Sequence, residues 1–228
     1  MSASARRDAV LFYLEDTALK YVIWDWNGTI LDDRDTCICC MNVLLEKYGL
    51  EPLAGKDDYT ARFSFPIENY YRGLGFDFSR TSFAALAKEF IDLYQPASYA
   101  CPLVKNAEET IRRIHARGIG QVVLSASKQQ NLEDQVGRHD IARFFDNLLG
   151  IGDVFAKSKV DIGKQWISES GIDAGEITVI GDTAHDYEVA EALGCECILY
   201  VNGHQAIDKR QHPRAKFVED LGELLEIV

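Results

Sequence analysis

The chain has no long hydrophobic run. Nothing in it approaches the ~20 apolar residues of a membrane span, and the patch from Val10 to Leu14 is interrupted by Glu15 and Asp16 before reaching the length of a signal-peptide core. The expectation is a soluble, cytoplasmic protein. Positive charge is also scarce: 24 Lys and Arg stand against 36 Asp and Glu, a net charge of −12. That field repels a phosphate backbone and argues against non-specific nucleic-acid binding. An anionic small substrate would need local positive groups or a bound cation. Cysteine is sparse, six in 228 residues, too few for a disulfide scaffold. Cys37, Cys39 and Cys40 form C-x-C-C, and Cys195 and Cys197 form C-x-C; neither has the C-x2-C spacing of a structural zinc site. On a helix, Cys37, Cys40, Met41, Leu44, Leu45 and Tyr48 share one apolar stripe, which predicts buried thiols acting as small hydrophobes. Internal repeats and low-complexity tracts are missing as well.

What is present is ordinary globular composition, 47% apolar and 26% charged, in a length suited to one or two domains. Tyr21-Val22-Ile23-Trp24 reads as a buried strand stopping at the polar turn Asp25-Trp26-Asn27-Gly28-Thr29. A helix is expected from about Thr36 to Tyr48, with Gly49 past its end. Residues 51–100 are dense in aromatics, with no clear strand and a helical spacing over 80–94. From about 104 the pattern alternates. Helices are expected at 105–117, 128–143, 159–170, 186–193 and 219–227, and strands at 121–124, 147–151, 177–180 and 196–201. Short apolar strands alternating with amphipathic helices imply an α/β fold with a parallel sheet covered on both faces. The aromatic helical stretch is then an insertion between the first and second strands.

Three of these strands end in small or acidic polar groups: Asp25-x-Asn27-Gly28-Thr29, Ser125, and Gly181-Asp182-x-x-x-Asp186. Ligands of open parallel sheets bind beyond the carboxyl ends of the strands, so these groups can converge on one crevice. Carboxylates gathered there repel one another unless a cation holds them. An all-oxygen donor set without His or Cys favours a hard ion, naturally Mg²⁺.

These motifs, in this order, resemble the haloacid dehalogenase-like superfamily: Asp-x-Asn-Gly-Thr after the first strand, Ser125 after the second, a Lys before a helix, and Gly-Asp-x-x-x-Asp after a later strand. The likeness covers about residues 21–205, and the closest subgroup is similar to phosphoglycolate phosphatases. It implies a Rossmann-like core, residues 1–36 and 104–228, and a C1-type helical cap, residues 37–103. It also implies Mg²⁺-dependent hydrolysis of a small phosphorylated metabolite through an aspartyl-phosphate. In that scheme Asp25 is the nucleophile and Thr29 hydrogen-bonds near it. Ser125, with Ala126 beside it, and Lys159 meet the phosphoryl group. Asp25, the backbone carbonyl of Asn27 and Asp182 bind the metal, with Asp186 acting directly or through water. Lys157 is the rival to Lys159, and Arg62 or Arg72, among the aromatics, could meet an anionic substrate group. The expected state is a monomer or a homodimer.

The departure is Asn27. Members of this family usually carry Asp there, protonating the leaving alcohol and activating water, and such help is typically worth roughly 10²–10⁴ in rate. An amide can do neither. Three readings follow: another group serves instead (His185 is the neighbouring candidate), a substrate with a good leaving group needs no acid, or the protein binds phospho-ligands without turnover. A dehalogenase would have no use for Asp182 and Asp186. A phosphonate hydrolase would want a lid lysine, and Lys56 and Lys88 sit in uninformative contexts. A mutase would depend still more on an acid at position 27.

Overall fold

A computed structural model describes residues 19–152 and 158–228. Six parallel strands form one sheet: β1 (Tyr21–Trp24), β2 (Gly120–Lys128), β3 (Asn147–Ile151), β4 (Ile177–Gly181), β5 (Glu196–Tyr200) and β6 (Ala215–Val218), in the order β3-β2-β1-β4-β5-β6. Between them run the helices α1 (Arg34–Lys47), α2 (Lys56–Arg62), α3 (Ile67–Gly73), α4 (Phe83–Ser98), α5 (Ala107–Ala116), α6 (Gln129–Val136), α7 (Lys159–Ser170) and α8 (Ala184–Leu193).

Alternation along the strands decides which core each side chain enters. Val22 and Trp24 of β1 join Val123, Ile111 and Ile114 on one face, with Leu221 and Leu224 closing that layer. Ile23 points the other way and packs with Leu124, Val179, Val189 and Leu193 under α8. Both faces are therefore dry, which is why the strands read as continuous apolar runs. The polar termini of those runs are left at the carboxyl edge. The order reverses between β1 and β4, so their ends lie side by side at the switch point, where an α/β sheet opens a crevice.

The helices between β1 and β2 have a core of their own, built from Cys37, Met41, Leu44, Tyr59, Tyr70 and Leu86 with others. Cys37 and Cys40 are buried on the apolar stripe of α1, as its spacing requires, and Cys39 on the opposite face is exposed. All six thiols are unpaired. Among the described residues no helix is long and apolar enough to cross a membrane.

Two sequence expectations need correction, and one strand was not expected. The helix expected over 128–143 stops at Val136, followed by Gly137 and, further on, a 3-10 turn at Ala142–Phe144. The terminal helix expected over 219–227 is a 3-10 segment, Leu221–Glu226, started by an Asp220–Glu223 capping box. The strand β6 carries no apolar run: four residues long, with Lys216 within it, it forms only because β5 supplies its partner. The lead-in at residues 1–18 lies outside the described residues.

Candidate active site

Asp25 extends β1 by one residue, its N–H donating to Ile180 O at 2.8 Å. The chain then turns back: Trp26 drives its indole into the core, donating to Gln135 Oε1 at 3.0 Å, while Asn27 faces the crevice. Gly28 makes the turn at φ +78°, and a Cβ there would stand 2.5 Å from Asp182 Oδ2. Glycine is required on both counts.

Asp182 follows β4 and is fully buried. It accepts from the Thr29 hydroxyl at 2.8 Å and from the His204 N–H at 2.6 Å. Asp186 lies one turn into α8, where it forms a capping box with Thr183. Its Oδ2 accepts from the Thr183 N–H at 3.0 Å and the Thr183 hydroxyl at 2.7 Å. Its Oδ1 accepts from Lys159 Nζ at 2.5 Å. Lys159, the first residue of α7 and 3% exposed, also donates to Asp25 Oδ1 at 2.7 Å. One ammonium thus joins two carboxylates from strand ends distant in sequence. Ser125 is buried at the end of the apolar part of β2, where pairing with β3 becomes irregular between Leu124 and Lys128. Its oxygen accepts from the Ser127 N–H at 3.1 Å, and Ala126 lies beside it on the same wall.

Asp25, Asp182 and Asp186 are all buried, and each can bring a carboxylate oxygen within 4.8 Å of the others. Three carboxylates against one lysine leave excess negative charge in a dry place, which is costly. Burial therefore raises Asp25 to about 7, Lys159 pulling it down and Asp186 and Asp182 pushing it up. Burial likewise raises Asp182 to about 6, opposed by His204 and reinforced by Asp186. Asp186 goes the other way: Lys159 outweighs its burial and holds it below the usual carboxylate range. An oxygen-rich, charge-frustrated cluster of this kind fits a hard divalent cation.

A second network lies beneath the first and was not legible in the sequence. Asp33, just before α1, is buried and accepts from the Gly28 N–H at 2.9 Å and from Asn27 Nδ2 at 3.0 Å. The Tyr94 hydroxyl of α4 also donates to it. His204 Nε2 lies 3.1 Å from Asp33 Oδ1, and His204 Nδ1 lies 2.8 Å from the Tyr59 hydroxyl. Burial disfavours the imidazolium, but Asp33, Asp182 and Asp25 outweigh it and lift His204 to about 9. Burial would raise Asp33, yet His204, Tyr94 and Asn27 hold it below its ordinary value. Asn27 is thereby fully engaged: Nδ2 also donates to the Tyr94 oxygen at 2.8 Å, and Oδ1 accepts from the Ser127 hydroxyl at 2.9 Å. The position of Gly203-His204 directly after β5 was the available signal, but a turn accounts for it equally well.

Over these groups stands a cavity of about 440 Å³, floored by the strand ends and roofed by the inserted helices. Asp25, Asn27, Ser125, Ala126, Lys159, Asp182 and Asp186 all line it. His185 lines it too, its ring stacked on Phe65 at 4.8 Å and its Nδ1 3.2 Å from Glu188. Thr29 sits behind, tying Asp182 in place. Arg62 is absent from the lining; its Nε pairs with Asp58 Oδ1 at 2.6 Å on an exposed face of α2. Arg72 lies over the Phe78 ring, 4.4 Å from its centroid, and is also not on the wall. Lys157 falls outside the described residues.

The family model for haloacid dehalogenase-like hydrolases matches residues 22–200. The phosphoglycolate phosphatase of Vibrio parahaemolyticus is 23% identical over 220 residues, spanning 92% of this chain and 96% of its own. Among solved structures, a haloacid dehalogenase-like family protein from Streptococcus pneumoniae superposes with a TM-score of 0.80 at 15% identity, covering 93% of this chain and 99% of that one. A Rhodobacter sphaeroides protein crystallised with xylulose-(1,5)-bisphosphate superposes at 0.69 with 18% identity, covering 90% and 96%. With its motifs at the switch point of the sheet and the model matching most of its length, the chain belongs to the haloacid dehalogenase-like hydrolase family.

Proposed function

We propose that this enzyme is a Mg²⁺-dependent phosphatase of small phosphorylated metabolites, related in chemistry to phosphoglycolate phosphatases and working through an aspartyl-phosphate on Asp25. One observation carries the reading: Asp25 is clamped by Lys159 beside Asp182 in a single buried crevice. Mg²⁺ held by Asp25, the Asn27 carbonyl and Asp182, with Asp186 acting through water, would neutralise the phosphoryl oxygens and keep Asp25 ionised.

The Asp25 carboxylate attacks phosphorus, the ester P–O bond breaks toward the leaving oxygen, and water then cleaves the acyl-phosphate to regenerate Asp25. Lys159 fixes the orientation of the nucleophile and adds positive charge where the phosphoryl group arrives. The Ser125 oxygen accepts from the Ser127 N–H, which leaves the Ser125 proton for a phosphoryl oxygen, with Ala126 presenting backbone alongside. Asp186 holds Lys159 in place, and Thr29 steadies Asp182. The inserted helices, residues 37–103, serve as a cap over a core of residues 1–36 and 104–228, shielding the acyl-phosphate from bulk water. Unpaired thiols fit a reducing, cytoplasmic setting. The binding-only alternative rests on Asn27 alone.

The test is turnover of acetyl phosphate and p-nitrophenyl phosphate with Mg²⁺ and with EDTA, coupled to mass spectrometry of acid-quenched protein. Metal-dependent release of phosphate with a labile +80 Da adduct on the Asp25 peptide (the mass of one phosphoryl group) is expected, and both should vanish in Asp25→Asn. Equal turnover by Asp25→Asn would refute the reading.

A further inference from the structure

We propose that the natural substrate is a small aryl phosphate, an ester whose leaving oxygen is borne on an aromatic ring. The inference rests on the phosphatase reading above and deepens it. Two independent observations lead there.

The first is the chemistry of the cavity roof. The lining residues between 37 and 95 include Phe63, Phe65, Phe90 and Ile91 and, among the described residues, no Lys or Arg. Most of their polar atoms are spent inside the protein: Tyr59 on His204, Tyr94 on Asp33, and Gln95 Nε2 on Asn131 O at 3.3 Å; the buried Tyr70 hydroxyl alone among these has no partner. What remains to face a ligand is chiefly ring and aliphatic surface. Phe65 and Ile91, both in the lining, are 37% and 40% exposed. A carboxylate such as that of phosphoglycolate would meet no Lys or Arg on the roof; the lysines that line the cavity, Lys128 and Lys159, stand on the strand-end side. The several hydroxyls of a sugar would lose water and find few partners on this roof. A ring gains both burial and edge or face contacts.

The second is Asn27. Both amide hydrogens and the carbonyl are hydrogen-bonded within the protein, and no proton can be donated from that position to a departing oxygen. When Asp25 forms its bond to phosphorus, the P–O bond breaks and its electron pair leaves on the ester oxygen. An alkoxide, with a conjugate acid close to water at roughly 16, leaves badly without a proton. A phenolate, with a conjugate acid near 10 as for tyrosine, leaves as the anion and collects its proton later from solvent. Water then attacks phosphorus, the P–O(Asp25) bond breaks, and inorganic phosphate and the carboxylate are released. No oxidant or co-reactant is needed. The same ring that fits the roof thus removes the need for the missing acid.

The test has a binding arm and a turnover arm. In the presence of Mg²⁺, calorimetry compares phenylphosphonate with phosphonoacetate, which cannot be hydrolysed. Phenylphosphonate should bind at least tenfold more tightly, and Phe65→Ala with Phe90→Ala should shrink that ratio. In turnover, kcat/KM should be at least 100-fold higher for phenyl phosphate than for phosphoglycolate or glucose 6-phosphate. It should also fall steeply across substituted phenyl phosphates as the leaving-group pKa rises. Phosphonoacetate binding as well as phenylphosphonate, or phosphoglycolate turned over as fast as phenyl phosphate, would overturn the inference while leaving the phosphatase reading intact. The ring preference in binding without turnover of any ester would sink the phosphatase reading and, with it, the substrate assignment. A phosphotyrosyl peptide hydrolysed faster than phenyl phosphate would place the aryl phosphate on a protein and overturn the small-molecule assignment.

Discussion

Asn27 Nδ2 lies 3.0 Å from Asp33 Oδ2, and the amide is held there as a donor to a buried, ionised carboxylate. A carboxylate at position 27 would face Asp33 across the same gap, and two such groups cannot both ionise at that distance. Position 27 is therefore tuned to its neighbour rather than simply stripped of an acid.

Asn27→Asp should create a pair sharing one proton, with an apparent pKa well above that of an ordinary carboxylate. A proton then becomes available to a departing alkoxide. Hydrolysis of alkyl phosphates should rise by roughly 10²–10⁴ near pH 5–6 and decline as the shared proton is lost, while aryl phosphates gain far less. A pH–rate profile for both substrate classes checks this; equal gains for both would contradict it.

Lys159 is the lone cation bonded to Asp25 and Asp186 among the described residues. Lys159→Met should leave both carboxylates buried without it and cost roughly 3–5 kcal/mol of stability in metal-free protein. Urea unfolding at pH 7 reads the loss directly. Saturating Mg²⁺ should recover part of it, because a ligand bound only by the folded state stabilises that state. A loss below 1 kcal/mol would mean that water already screens the cluster.

Three buried groups of the site give metal-free protein a falling stability with rising pH, and Asp182, raised to about 6 from an ordinary 3.8, loses its contribution first. Asp25 is raised to about 7 from an ordinary 3.8, so its protonated form favours folding at low pH and that contribution is lost as pH rises through about 7. His204, raised to about 9 from 6.5, contributes in full below 6.5 and is lost as pH rises through about 9; the shift corresponds to about 3 kcal/mol. Urea midpoints from pH 5 to 9.5 should fall in metal-free protein. Mg²⁺ should flatten the lower part of the curve and His204→Gln the upper part. A rising curve would reverse these assignments.

Gly28→Ala would place a methyl 2.5 Å from Asp182 Oδ2 at a φ of +78°. Strain and the displaced carboxylate should together lower the melting temperature by several degrees and weaken Mg²⁺ binding at least tenfold by calorimetry. Unchanged Mg²⁺ affinity would show that Asp182 is not a ligand.

The sheet was legible because its strands are apolar runs closed by turn residues, and because both faces are dry. Asp25, Ser125, Lys159 and Asp182 could be picked out together since each ends or begins an element that feeds the same edge. Asp33, Tyr94 and His204 escaped notice for the opposite reason. Each looks like a common loop, helix or turn residue, and only the closing of α4 and the β5 loop over β1 gives it a partner. Arg62 shows the converse: its place among aromatics suggested a ligand contact, and the structure pairs it with Asp58 four residues earlier, off the cavity wall. The β6 strand has no signature of its own and is templated by its neighbour.

Because β1 and β4 are neighbours in space but about 150 residues apart in the chain, an emerging polypeptide carries the proposed nucleophile, Asp25, long before the second acid strand exists. Until β4 slots in next to β1, Asp25 has neither of its carboxylate companions and no reason to hold a cation. The three-carboxylate cluster thus needs both halves of the core, and a chain that stops before β4 cannot form it.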